Sequence, residues 1–100
     1  MSKQQDLAQL MKTLRRLVPL LAERYQVESL GVFGSYLHGE QEVDSDLDLL
    51  VTFHAPPSLL KFIELENYLS DMLGIKVDLV MKDALRPRVG KQILREVVTV

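Results

Sequence analysis

Asp46, Asp48 and Asp78 are the side chains of this sequence best placed to do chemistry. From Asp46 the chain alternates acidic and apolar residues, Asp46-Leu47-Asp48-Leu49, and then continues through Val51 to Phe53. Successive side chains on a β-strand point to opposite faces, so Asp46 and Asp48 project together while Leu47, Leu49, Val51 and Phe53 project the other way. Two carboxylates crowded on one face repel unless a proton or a cation lies between them, and an all-oxygen donor set suits Mg²⁺ or Mn²⁺. Asp78 stands between Val77 and Leu79 in a later apolar run, where an unpaired buried carboxylate would be costly in a purely structural role. Glu40, Glu42, Asp44, Asp46 and Asp48 occur without a single Lys or Arg among them. A bare site of that charge repels a triphosphate, and divalent cations reverse the sign.

Upstream of the acidic pair lies Gly34-Ser35, at the end of an apolar segment. Glycine allows a backbone to approach a phosphate closely, and amides and a hydroxyl at a helix start favour a bound anion. Three familiar templates fail here. Gly34 and Gly39 have P-loop spacing, but Glu40 and Gln41 replace the Lys and Ser/Thr that the phosphates require. Asp44, Asp46 and Asp48 open like an EF-hand, but Leu49 replaces the turn glycine and Ala55 the final glutamate. Ser35 is flanked by Phe33 and Leu37, where a nucleophile elbow needs glycines.

The elements that must position these residues follow from periodicity. Leu7, Leu10, Met11, Leu14, Leu17, Val18 and Leu21 recur at helical steps and predict a helix over residues 2–25, with Ser2 as N-cap. Pro19 predicts a kink or short break near Leu17-Val18. This Leu-rich face is expected to pack on the domain's own sheet, a dimer or partner surface being the alternative. Strands are expected over 26–33, 46–53 and 75–81, with a short helix over 35–38. Ser58 should cap a helix ending near residue 72 before Gly74, burying Leu59, Phe62, Ile63, Leu69, Met72 and Leu73. Residues 83–100 read as helix in two pieces split at Pro87, with Leu85, Val89, Ile93, Leu94 and Val97 inward. Arg86, Arg88, Lys91 and Arg95 then form a basic outer side, read as a solvated face ahead of a phosphate or acidic-partner contact. The whole is one α/β (α+β) domain over 1–100, a small mixed sheet flanked by helices.

Composition sets outer bounds. One hundred residues, 47% hydrophobic and 26% charged, make one modest core and leave no room for a separate substrate-binding domain. Any large substrate must meet this domain's own surface. A net charge of -2 gives no basic footprint for stable DNA or RNA binding. The absence of Cys excludes disulfides, thiolate zinc sites and thiol nucleophiles. No apolar run reaches the length of a signal peptide or a membrane span, so a cytoplasmic location is the expectation.

Taken together, Gly34-Ser35, ten intervening residues, Asp46-x-Asp48, the Gly39-Glu40 pair, the run SDLDLLV and the later VDLV containing Asp78 form an ordered signature. It resembles that of the minimal nucleotidyltransferases, small members of the DNA polymerase β-like nucleotidyltransferase superfamily, and the likeness extends from about Leu30 to Val80. The resemblance implies the nucleotidyltransferase fold and transfer of a nucleoside monophosphate, usually AMP from ATP, to a hydroxyl with release of pyrophosphate. Gly34 and Ser35 would match the phosphate-holding turn, Asp46 and Asp48 the metal pair, and Asp78 the third carboxylate, which could share a metal and take the hydroxyl proton. Two Mg²⁺ ions are implied, with Mn²⁺ as a substitute. Family members commonly show GSxARGE where this chain has GSYLHGE, so His38 stands at a nucleotide-facing Arg position, where it could donate to a phosphate. Small proteins of this family are often the antitoxin partner of a helical HEPN-type ribonuclease toxin, which they neutralise by AMPylation of a tyrosine; homo- or hetero-oligomers are compatible with that role. The alternative is a non-catalytic module that neutralises or scaffolds a partner by occlusion.

Overall fold

The computed structural model describes residues 6–42 and 44–100. The first helix, α1 (Leu7–Tyr25), starts at Asp6, whose carboxylate accepts from the Gln9 amide at 2.8 Å. Asp6 therefore caps the described helix, and the Ser2 position expected for that role lies outside the described residues. Leu10, Met11, Leu14, Leu17, Leu21 and Tyr25 form the buried stripe that the periodicity calls for. Contrary to the expected break, α1 runs through Pro19 without interruption. Pro19 is on the exposed side, where water can reach the carbonyl that loses its amide partner. Gln26, in the left-handed region at φ 61°, ends the helix by returning its N–H to the Leu21 carbonyl.

Strands β1 (Val27–Phe33) and β2 (Leu47–Phe53) pair antiparallel, and helix α2 (Leu59–Leu73) carries the chain to β3 (Val77–Met81), which lies parallel to β2. A 3-10 turn (Lys82–Ala84) leads to α3 (Pro87–Glu96) and a two-residue strand β4 (Val98–Thr99) antiparallel to β1. The sheet order is β3-β2-β1-β4. It is the mixed α/β arrangement expected.

One face of the sheet makes the core. Leu47, Leu49 and Val51 of β2, Val77 and Leu79 of β3, and Val27, Leu30 and Val32 of β1 are buried in one cluster with the α1 stripe and with Leu65, Leu69 and Leu73 of α2. The α2 boundaries match expectation: Ser58 accepts from the Lys61 amide at 3.2 Å, and Gly74 at φ 71° closes the other end. Its buried side does not. Leu59, Ile63 and Met72, expected inward, are 74%, 44% and 49% exposed, and Leu65 takes the central place. Apolar residues surround much of α2, so several stripes have helical spacing, and contact with the sheet selects one.

The C-terminal segment departs furthest from expectation. Residues after Glu96 leave the helix and pair with the free edge of β1, so Val97 caps α3 and β4 follows. Val89 and Leu94 are 55% and 45% exposed, and Gly90 is the one residue of α3 that is buried. A Cβ at Gly90 would press on Leu85, and one at Gly31 would overlap the Val97 side chain. Leu94 and Val97 line a small cavity of about 130 Å³ with Gly31, Leu50 and Thr52. This places α3 over part of the sheet's second face, beyond the reach of the core helices.

Candidate active site

Alternation on β2 and β3 that buries leucine and valine on one face sends Asp48 and Asp78 to the other. In the parallel register Asp48 lies beside Asp78, and across the antiparallel ladder it faces Phe33, the residue before Gly34. Strands in register hold such neighbours about 5 Å apart. The two carboxyls share a hydrogen bond. Asp48 is half-buried, and its pKa is pushed up to about 6, first by desolvation, then by the charges of Asp78 and Asp46, and last by the bond to Asp78.

Asp78 is itself exposed, so the cost of burying an unpaired carboxylate, expected from its mid-strand position, does not apply. What singles out Asp78 is the in-register carboxyl beside it. Asp46 sits just ahead of β2, which begins at Leu47 rather than at 46. The Leu47 amide donates to the Lys76 carbonyl at 2.9 Å, fixing the strand entry, and the Asp46 carboxylate is 3.9 Å from the Lys76 ammonium, with both side chains exposed. Such a pair is weak. Among the described residues no three His or acidic side chains form a ready-made metal cage. The structure brings Asp48 and Asp78 together and leaves Asp46 alongside, turned toward Lys76.

Gly34 completes the corner. It adopts φ 83°, and a Cβ there would overlap the Asp48 carboxylate, so both the backbone angle and the space require glycine. The expected short helix at 35–38 is a tight turn instead. Leu37 N–H bonds the Gly34 carbonyl at 3.1 Å, and the Ser35 carbonyl accepts from His38 at 3.2 Å and from Glu40 at 3.0 Å. Tyr36, a residue that spacing did not single out, anchors this turn by burying its ring in the core at 6% exposure. The signal was present as a large aromatic directly after the Gly34-Ser35 turn. His38 is aimed elsewhere: its Nε2 is 3.2 Å from the Glu96 carboxylate at the end of α3, where both side chains are exposed.

The donor set fits a divalent cation. It is oxygen-only, and a cation would offset the repulsion between the adjacent Asp48 and Asp78 carboxylates. A glycine turn thus abuts paired carboxylates at the mouth of a small mixed sheet.

Comparison with known proteins identifies the family. The nucleotidyltransferase domain family matches residues 14–100. Protein adenylyltransferase MntA of Thermococcus cleftensis is 59% identical over 80 residues, spanning 80% of this chain and 81% of that protein. A solved structure described as a minimal nucleotidyltransferase superposes with a TM-score of 0.82 at 38% identity, over 99% of this chain and 100% of that one. A toxin–antitoxin complex containing MntA contributes a chain with a TM-score of 0.68 at 25% identity, over 97% of this chain and 72% of that one. The chain belongs to the nucleotidyltransferase domain family and has the minimal nucleotidyltransferase fold. It is an enzyme of the nucleotidyltransferase type.

Proposed function

We propose that the protein transfers AMP from ATP to a hydroxyl of a partner protein, with Mg²⁺ as the metal, and acts as the antitoxin of a HEPN-type ribonuclease toxin. The observation that carries this reading is the in-register pair of Asp48 and Asp78 set against Gly34. The 59% identical relative is named as a protein adenylyltransferase, and a further neighbour of the same fold comes from a toxin–antitoxin complex, which supports the choice of nucleotide and partner.

In this reading the turn from Gly34 through Ser35 holds the phosphates, the glycine giving close backbone approach. Asp46, Asp48 and Asp78 would hold the divalent ions, two of them in the resemblance, and these when bound neutralise the triphosphate and the developing charge on attacking and leaving oxygens. Asp78 accepts the proton of the acceptor hydroxyl as its oxygen bonds to the α-phosphorus. The α–β phosphoanhydride breaks and pyrophosphate departs. β3 is an edge strand and Asp78 is exposed on it, so the acceptor can approach from outside the domain. His38, held by Glu96, contributes to nucleotide binding by swinging from that contact to a phosphate. With α-³²P-labelled ATP and Mg²⁺ the wild type should label its neighbour-encoded partner, and Asp48→Asn should not. Equal labelling by both proteins, or none by the wild type, would remove the proposal.

A second reading, neutralisation by occlusion alone, has one observation in its favour: Leu59 and Leu60 on α2 are 74% and 80% exposed. An apolar surface of this kind suits a partner contact. If Asp46→Asn with Asp48→Asn still protects cells from the toxin as fully as wild type, occlusion suffices.

A further inference from the structure

The outer side of α3 carries Arg88, Lys91 and Arg95 at three- and four-residue steps, with Arg86 at the cap position before them. All four are exposed and line one open groove of about 820 Å³. Among the described residues none of the four has an ion-pair partner, although the chain as a whole carries a net charge of -2. Like charges at these steps oppose one another along a helix, so the stripe is unfavourable in the isolated domain and is relieved by an anion. The same helix meets the sheet through Leu94 and the cap residue Val97, which line the small cavity with Gly31 and Leu50, while Arg88, Lys91 and Arg95 are exposed and line a separate groove. Geometry therefore separates this stripe from the triphosphate.

The groove also reaches the site's rim. Glu96 forms one wall of it and is the residue bonded to His38 in the turn that follows Gly34. A polypeptide lying on α3 would run toward that turn. We infer that the α3 stripe docks an acidic segment of the protein acceptor and so presents the acceptor hydroxyl to the carboxylates, an inference that rests on the protein-modifying reading above. Charge complementarity selects the occupant. A long nucleic acid following the same path would meet Glu40, Glu42 and Asp46 beyond the turn, whereas a short acidic segment ends before them.

The test uses a fluorescein-labelled poly-L-glutamate peptide as a direct probe and the HEPN-type partner as acceptor. Reversal of the stripe (Arg88→Glu, Lys91→Glu, Arg95→Glu) should weaken peptide binding by about tenfold or more, and added salt should weaken the wild type far more than the variant. In transfer assays the same variant should raise KM for the acceptor about tenfold with kcat within about twofold, and Mg·ATP binding should be unchanged. The neutral variant with Gln at all three positions should lie between the two, which separates docking from misfolding. An equal reversal on α1 (Lys12→Glu, Arg15→Glu, Arg16→Glu) should change neither measurement. Unchanged KM and peptide affinity in the α3 variant would overturn the inference, as would loss of Mg·ATP binding or a preference for poly(U) RNA over poly-L-glutamate. Should the wild type transfer nothing to the partner, the function proposed above fails. The docking inference is then decided by peptide and partner binding alone, with affinity equal to the variant's overturning it.

Discussion

The two faces of the central sheet are made by the same strands and by alternate residues of the same run, yet they do opposite work. On the inner face Leu47, Leu49 and Val51 are fully buried under α1 and α2. On the outer face Asp48, one residue away from two of them, is half-buried beside a second carboxyl and titrates well above the ordinary range. The inner face gains free energy by excluding water. The outer face spends some of it holding charge where charge is unfavourable, and the backbone that the inner face fixes is what keeps it there. Stability and chemistry in this domain should therefore respond separately to substitution.

The largest expected effect is on chemistry. Asp48→Asn should reduce AMP transfer by at least about 10³-fold, equivalent to about 4 kcal/mol of barrier, measured as single-turnover labelling of the partner. Leu49→Ala, its inward neighbour, should cost about 3 kcal/mol in urea unfolding while the folded protein keeps its rate within about twofold. A large loss of rate in Leu49→Ala at full folding would break the division between the faces. Gly34→Ala should do both kinds of damage. It forces a side chain into a left-handed conformation and against the Asp48 carboxylate, so about 2 kcal/mol of stability and about tenfold in transfer should be lost together.

The smallest effect has the opposite sign. Asp48 holds its proton more tightly folded than unfolded, so metal-free wild type loses stability as pH rises from about 4 to about 6 and stays at the lower level above that. Asp48→Asn should remove this loss and raise thermal stability at pH 7 by on the order of 1 kcal/mol, solvent screening having reduced it, with no gain at pH 4. Addition of Mg²⁺ should stabilise wild type and leave the variant unmoved. A variant less stable than wild type at pH 7 without metal would contradict the electrostatic account.

The inner face was legible because strand and helix periods show where apolar residues must go. Val77 and Leu79 fell on the core side, and Ser58 and Gly74 marked the ends of α2. The carboxylates followed from the same alternation read on its other side, with Asp46, Asp48 and Asp78 singled out by spacing. Less of the remainder could be read. Which of several apolar stripes on α2 turns inward depends on the sheet it meets, and β4 exists because β1 offers an unpaired edge, which periodicity within residues 97–99 does not encode. The pairing of Asp48 with Asp78 depends on the β2–β3 register, a long-range fact set by the α2 crossover. His38 could be placed in the turn from its spacing, but its contact with Glu96 joins residues far apart in the chain.

The central claim is that the outer-face carboxylates bind nucleotide through divalent cations. Titration calorimetry of ATP into the protein, with and without Mg²⁺, tests it most directly. Uptake of ATP that requires Mg²⁺ in wild type, and disappears in both Asp48→Asn and Asp78→Asn, is the predicted result. ATP binding of equal strength without the metal, or retained in both variants, would contradict it.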